Sequence, residues 1–159
     1  MTDTNKISKG KRRSAARLAA IQALYEMELT GHRVDIVLNE FSIRGATAEL
    51  DGETIPAEPA LFADLVRGVN ERSEDLDRML GATLSGGRTV ERLEILMRSI
   101  LRAGAYELVA RGDIDPPLTI SEYLTVASAF FTGTEPAFVN GVLDKLAQTL
   151  RGDDLDGDE

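Results

Sequence analysis

The chain has 159 residues, 43% of them hydrophobic and 28% charged, with no cysteine and a net charge of −9. That size and composition fit one helical domain and exclude disulfides and thiolate metal sites. No apolar run nears the roughly 20 residues that span a bilayer, and the polar, basic start is unlike a secretory signal, so a cytoplasmic protein without membrane contact is expected.

Residues 1–8 are expected to form a disordered basic tail, 9–151 a single helical domain, and 152–159 a disordered acidic tail. Leu18, Ile21, Leu24, Tyr25 and Leu29 recur at three- and four-residue spacing. They predict a helix over 11–29, stopped by Thr30-Gly31. Val34, Val37, Leu38 and Phe41 share one face of a short helix over 34–44, ended by Gly45. Residues 45–57 hold Gly52 and Pro56 with weak periodicity and read as a loop. Pro59 then introduces a stripe of Leu61, Phe62, Leu65, Val66 and Val69.

Ser73 stands where it would cap another helix through Leu84, and Ser85-Gly86-Gly87 breaks it. Thr89–Arg111 carries the broadest apolar face, with Leu93, Leu96, Met97, Ile100, Leu101 and Leu108. Gly104 marks a close helix contact within it, and Pro116-Pro117 forbids its continuation. Thr119-Ile120-Ser121-Glu122 has the form of a capping box, with Leu118 and Tyr123 placed as a staple. Thr134 can cap the last helix, which turns Phe138, Val139, Val142, Leu143, Leu146 and Leu150 inward and stops at Gly152. About seven amphipathic helices with short links make an all-α, compact bundle.

Catalytic chemistry finds little support. His32 is the only histidine, and no acid-rich loop has calcium-binding spacing. There is no Gly-x-Ser-x-Gly elbow, and Ser85-Gly86-Gly87-Arg88-Thr89 lacks the ending of a phosphate loop and reads as a connector. No enzyme activity and no cofactor are expected.

Charge is unevenly placed. The head holds Lys6, Lys9, Lys11, Arg12, Arg13 and Arg17 against Asp3 alone, while the tail holds Asp153, Asp154, Asp156, Asp158 and Glu159 with no base. This suggests one polyanionic and one basic partner. Cations running into a helix N-terminus suit phosphate, which the free N–H groups and helix dipole also favour. Single-stranded RNA fits one short basic strip better than a duplex, because unstacked bases need only a stacking platform and a few cations. Phe130 and Phe138, bracketing Thr132-Gly133-Thr134-Glu135-Pro136, and the neighbouring Phe131 are the candidate platforms.

Three blocks carry a resemblance: Arg12-Arg13-Ser14-Ala15-Ala16-Arg17 followed by Gln22-Ala23-Leu24-Tyr25, then Ile100-Leu101-Arg102-Ala103-Gly104-Ala105-Tyr106-Glu107-Leu108, then Phe138-Val139-Asn140-Gly141-Val142-Leu143-Asp144-Lys145. In that order and spacing the chain resembles the NusB family of transcription antitermination factors over nearly everything from Lys11 to Arg151. The resemblance implies an all-helical protein that binds single-stranded boxA-type RNA of ribosomal RNA operons together with a small-subunit ribosomal protein, NusE. It implies an indirect link to the RNA polymerase elongation complex, and it allows a homodimer through the partner-facing surface. RNA contacts are then expected at Lys9, Arg13 and Arg17 and at Phe130 and Phe138, with Lys11 and Arg12 added by the charge reading of the head, and partner contacts at Tyr25, Met97 and Arg102.

Some positions depart from the family pattern. Ser14 and Ala15 stand where members often carry arginine, Thr134 and Ala137 where polar or basic residues are often seen, and Met97 where glutamate is common. Ser121 replaces the asparagine of the more usual Ile-Asn-Glu. These departures predict weak intrinsic RNA affinity with the ribosomal partner supplying much of it. At the extreme, the chain would be a protein-interaction adaptor with little RNA binding of its own.

Overall fold

The computed structural model describes residues 7–157, with side chains through Arg151. Among the described residues the chain forms six α-helices, a short 3-10 turn and a two-stranded hairpin. They fall into two units, one reaching to Asn70 and one starting at Glu71. No described helix is long and apolar enough to cross a membrane.

In the first unit, α1 (Lys9–Thr30) begins where the Ser8 hydroxyl accepts the Lys11 N–H at 3.1 Å. It stops where Gly31, at φ 74°, donates its N–H to the Met27 carbonyl. That left-handed cap is the one glycine takes without a Cβ penalty. Ala15, Ala16, Leu18, Ala19, Ala20, Ile21 and Leu24 are buried along one side. α2 (Val34–Arg44) buries no residue fully and is held through Phe41, whose ring stacks on Phe62 with centroids 4.0 Å apart.

The segment expected as a loop over 45–57 is instead a hairpin, β1 (Thr47–Leu50) against β2 (Glu53–Pro56). Its turn residues Asp51 and Gly52 lie at φ 52° and 81°. Two consecutive positive φ values are what a two-residue turn matching strand twist requires, and Asp-Gly is among its favoured sequences. Ala48 and Ile55 sit opposite each other and are both buried, and the two strands pack against α1. The strands are too short for alternation to stand out, yet the Asp-Gly signal was present.

Glu58 joins these pieces. Its N–H donates to the Arg12 carbonyl at 3.0 Å, and its carboxylate accepts the N–H groups of Ala60 and Leu61. That satisfies donors in the first turn of α3 (Pro59–Thr83). The two helices expected on either side of Ser73 form one element that leaves helical geometry at Arg72 (φ −111°, ψ 17°), where the two units also meet in sequence.

In the second unit the helix expected from Thr89 starts later. Val90–Arg92 make the 3-10 turn, Leu93 is extended, and α4 spans Ile95–Ala110. α5 (Pro116–Phe130) starts earlier than expected, on the proline pair itself. Proline's missing N–H costs nothing in a first turn, where that donor has no helical partner anyway. Thr119 is therefore a buried residue inside the helix and not a cap, and Leu118, 60% exposed, staples nothing. α6 runs Glu135–Gly157, past the stop expected at Gly152. Of the expected tails, residues 1–6 and 158–159 lie outside the described residues; Ser8 caps α1, and the backbone over 152–157 continues α6.

α4 packs against both α5 and α6. The crossing is close because Gly104 faces them: a Cβ there would lie 2.8 Å from Leu143 Cδ1 and 3.4 Å from Tyr123 Cγ. Ile100, Leu101, Tyr123, Ala127, Val139 and Leu143 are all fully buried around it. Removing apolar surface from water, at about 25 cal/mol per Å², is what holds these helices together.

Candidate nucleic-acid interface

The first turns of α1 present the basic residues in a graded way. Lys9 and Lys11 are exposed, and Arg12 and Arg13 are half-buried. Lys11 Nζ lies 3.7 Å from Glu53 on the hairpin, with both side chains more than half exposed. A pair of that kind is worth little and is easily exchanged for another anion. Neither Arg12 nor Arg13 pairs with a carboxylate among the described residues, and Arg12 Nε is shielded from solvent with no hydrogen-bond partner. The strip therefore keeps most of its positive charge unneutralised, within a chain whose net charge is −9.

Arg17 departs from the expectation. It is only 6% exposed and does not stand on the surface with the other cations. The reason is its position: it lies one turn before Ile21 and two before Leu24, on the helix face that packs inward.

In the second unit, Phe130 ends α5 and Phe138 lies in the first turn of α6. The loop between them is exposed through Thr132–Thr134, and Phe130, Phe131 and Phe138 are each half-buried. Their rings are neither wholly interior nor free. The Arg88 guanidinium lies over the Phe138 ring, 4.8 Å from its centroid. Sequence reading placed Arg88 in a mere connector. Gly86 and Gly87, at φ 69° and 78°, turn that connector sharply, and no sequence signal tied it to a residue 50 positions on.

The expected partner residues separate. Tyr25 is half-exposed on α1. Met97 is 5% exposed and belongs to the core of its unit, so it is not displayed for a partner. Arg102 is held within the chain: its Nε and NH2 donate to the two Asp77 carboxylate oxygens, each at 2.7 Å. That two-pronged clamp joins α4 to the later half of α3. His32 is exposed between α1 and α2. Among the described residues no group of three His, Asp or Glu side chains is placed to hold a metal ion.

The model of the NusB family matches residues 14–148. A transcription antitermination protein NusB from Bradyrhizobium diazoefficiens is 42% identical, with 98% of each chain covered. One from Sphingopyxis alaskensis is 46% identical over 87% of this chain and 94% of its own. Among solved structures, a T. maritima NusB gives a TM-score of 0.69 at 27% identity, covering 86% of this chain and 90% of that one. A chain from a crystal structure of antitermination factors NusB and NusE in complex with dsRNA gives 0.70 at 21% identity, covering 87% and 98%, a likeness of fold.

Proposed function

Since this chain belongs to the NusB family of transcription antitermination proteins, we propose that it binds single-stranded boxA-type RNA of ribosomal RNA operons together with the ribosomal protein NusE, and so promotes processive transcription. Membership sets it among antitermination factors and not among enzymes. The observation that carries the RNA reading is the opening of α1. There Lys9, Lys11, Arg12 and Arg13 meet only one weak, exposed carboxylate contact among the described residues. Such a strip can trade water and counterions for phosphates.

Phe130 and Phe138 are proposed to stack bases, since each is only half-buried beside an exposed loop. A relative was solved with NusE and dsRNA. A single strand is preferred here because four cations in a short strip cannot track both strands of a duplex, whereas half-open rings suit splayed bases. NusE is proposed to meet α1 around Tyr25. Met97 and Arg102 are better assigned to packing, given the burial of one and the Asp77 clamp of the other. Nascent RNA and a ribosomal protein as targets place the proposed work in the cytoplasm.

Titration of fluorescent boxA-type RNA, with and without NusE, tests this reading. Tight, sequence-preferring and salt-sensitive binding is expected with NusE present, and a scrambled RNA should bind more weakly. Absence of any such preference in both conditions would refute it. The burial of Arg17 favours one second reading, an adaptor with little RNA contact of its own. An adaptor would keep NusE affinity and cellular function after Arg13→Glu; an RNA-binding factor would keep the first and lose the second.

A further inference from the structure

Five arginines in the described part of this chain are held by acids. Arg33 pairs with Asp35, Arg78 with Asp75, Arg102 with Asp77, Arg111 with Asp113 and Arg151 with Asp115. With Asp and Glu outnumbering Lys and Arg by 27 to 18, that is the ordinary outcome. Arg88 is placed differently. It is exposed, it meets no carboxylate among the described residues, and its guanidinium rests on the Phe138 ring at 4.8 Å.

The backbone is built for this. Gly86 and Gly87 both hold left-handed φ, and a Cβ on either would meet nothing within 4 Å. They are glycines for conformation, not for space. Their turn delivers Arg88 to the start of α6, where Phe138 sits beside the exposed Thr132–Thr134 loop.

A guanidinium stacked on a ring keeps its five N–H donors in its own plane, free to grip an anion from the side. Seated on the ring, the cation is held in place without being neutralised. A carboxylate from a protein partner would need the donor fork but not the ring. A nucleotide needs both, a π face for its base and a cation for its phosphate.

We infer that Arg88 and Phe138 form one composite platform for a nucleotide of single-stranded RNA, with Arg88 serving the phosphate and the stacked pair serving the base. This rests on the RNA-binding reading above and adds Arg88, from the Gly86-Gly87 connector, as a specific contact.

The test uses the full chain with its ribosomal partner and a short fluorescent single-stranded RNA across a range of salt. Arg88→Ala should weaken binding about fivefold and flatten the salt dependence by roughly 0.7, the loss of about one phosphate contact. Arg88→Lys should keep the salt slope and lose about twofold, since a lysine keeps the charge without the planar fork. Arg88→Ala combined with Phe138→Leu should lose less than the product of the two single effects, because they share one platform. Thermal midpoints should stay unchanged for the Arg88 variants, whose side chain is exposed.

The inference is overturned if the wild type binds the RNA and Arg88→Ala binds it equally well. It is also overturned if Arg88→Ala instead weakens binding of the ribosomal protein without RNA, which would make the contact a protein one. A wild type that fails to bind RNA under any condition would remove the RNA-binding reading itself, a different result from either of these.

Discussion

Replacing Asp77 by alanine should lower stability by about 2 kcal/mol, a figure set by where its clamp to Arg102 sits. Fully exposed ion pairs contribute about 0–1 kcal/mol, and breaking a fully buried one costs about 3–5 kcal/mol. The Arg102 and Asp77 side chains are 16% and 28% exposed, and both bonds are short at 2.7 Å with charge on each side. The site is therefore intermediate. Removing the carboxylate leaves a mostly buried guanidinium with two donors unpaired by that partner, at about 1–3 kcal/mol for such a loss. In a chain of this size about 2 kcal/mol corresponds to a drop of roughly 5 °C in thermal midpoint. Arg102→Ala should cost at least as much, because Arg102 makes further contacts within the chain. A double-mutant cycle followed by urea unfolding should give a coupling of about 1–2 kcal/mol. Additive effects with no coupling, or a midpoint unchanged in both variants, would refute the clamp. If Arg102→Ala left stability intact but abolished NusE binding, Arg102 would be a partner contact after all.

Three further outcomes are expected. Gly104→Val should destabilise by about 2–3 kcal/mol in urea unfolding, because its side chain would press on Leu143 and Tyr123, both fully buried; a variant as stable as wild type contradicts the close crossing. Gly52→Val should cost about 1–2 kcal/mol, since φ 81° in the hairpin turn is strained for a β-branched residue; hydrogen exchange at Ala48 and Ile55 should speed up with it. Glu53→Gln should tighten RNA binding by about twofold at low salt, as the exposed carboxylate no longer competes for Lys11; weaker binding would mean the hairpin helps RNA dock.

The sequence was most readable where local chemistry and packing agree. α1 and α2 end at Gly31 and Gly45 as expected, because a chain reversal at positive φ is a purely local requirement that glycine meets. Gly104 was recognisable as a close contact, since a glycine amid a broad apolar stripe has few other uses. The failures share a cause: patterns that fit two structures. Leu93 continues the apolar stripe of α4, yet it sits in an extended turn before the helix. Thr119–Glu122 satisfies the capping-box pattern, yet the proline pair had already started the helix three residues earlier.

At the candidate interface, surface exposure was over-read. Arg17 and Met97 were taken as surface contacts, although each lies at i, i+4 spacing from buried residues, Ile21 for one and Leu101 for the other. That spacing alone would have moved both inward. Arg102 gave no comparable warning, since its clamp to Asp77 crosses 25 residues of sequence. Arg88 was invisible for the same reason, its ring partner lying far along the chain.

The central claim is that the cations opening α1 hold RNA phosphates. Its most direct test is the salt dependence of boxA-type RNA binding by the chain with NusE, for wild type and for Lys9→Glu/Arg13→Glu. Four phosphate contacts from α1 and one from Arg88 on a single strand predict a slope of log affinity against log salt near −3.5, with the double variant losing at least about 1.4 of it and most of its affinity while NusE binding persists. Equal affinity and slope for the two proteins would contradict the claim.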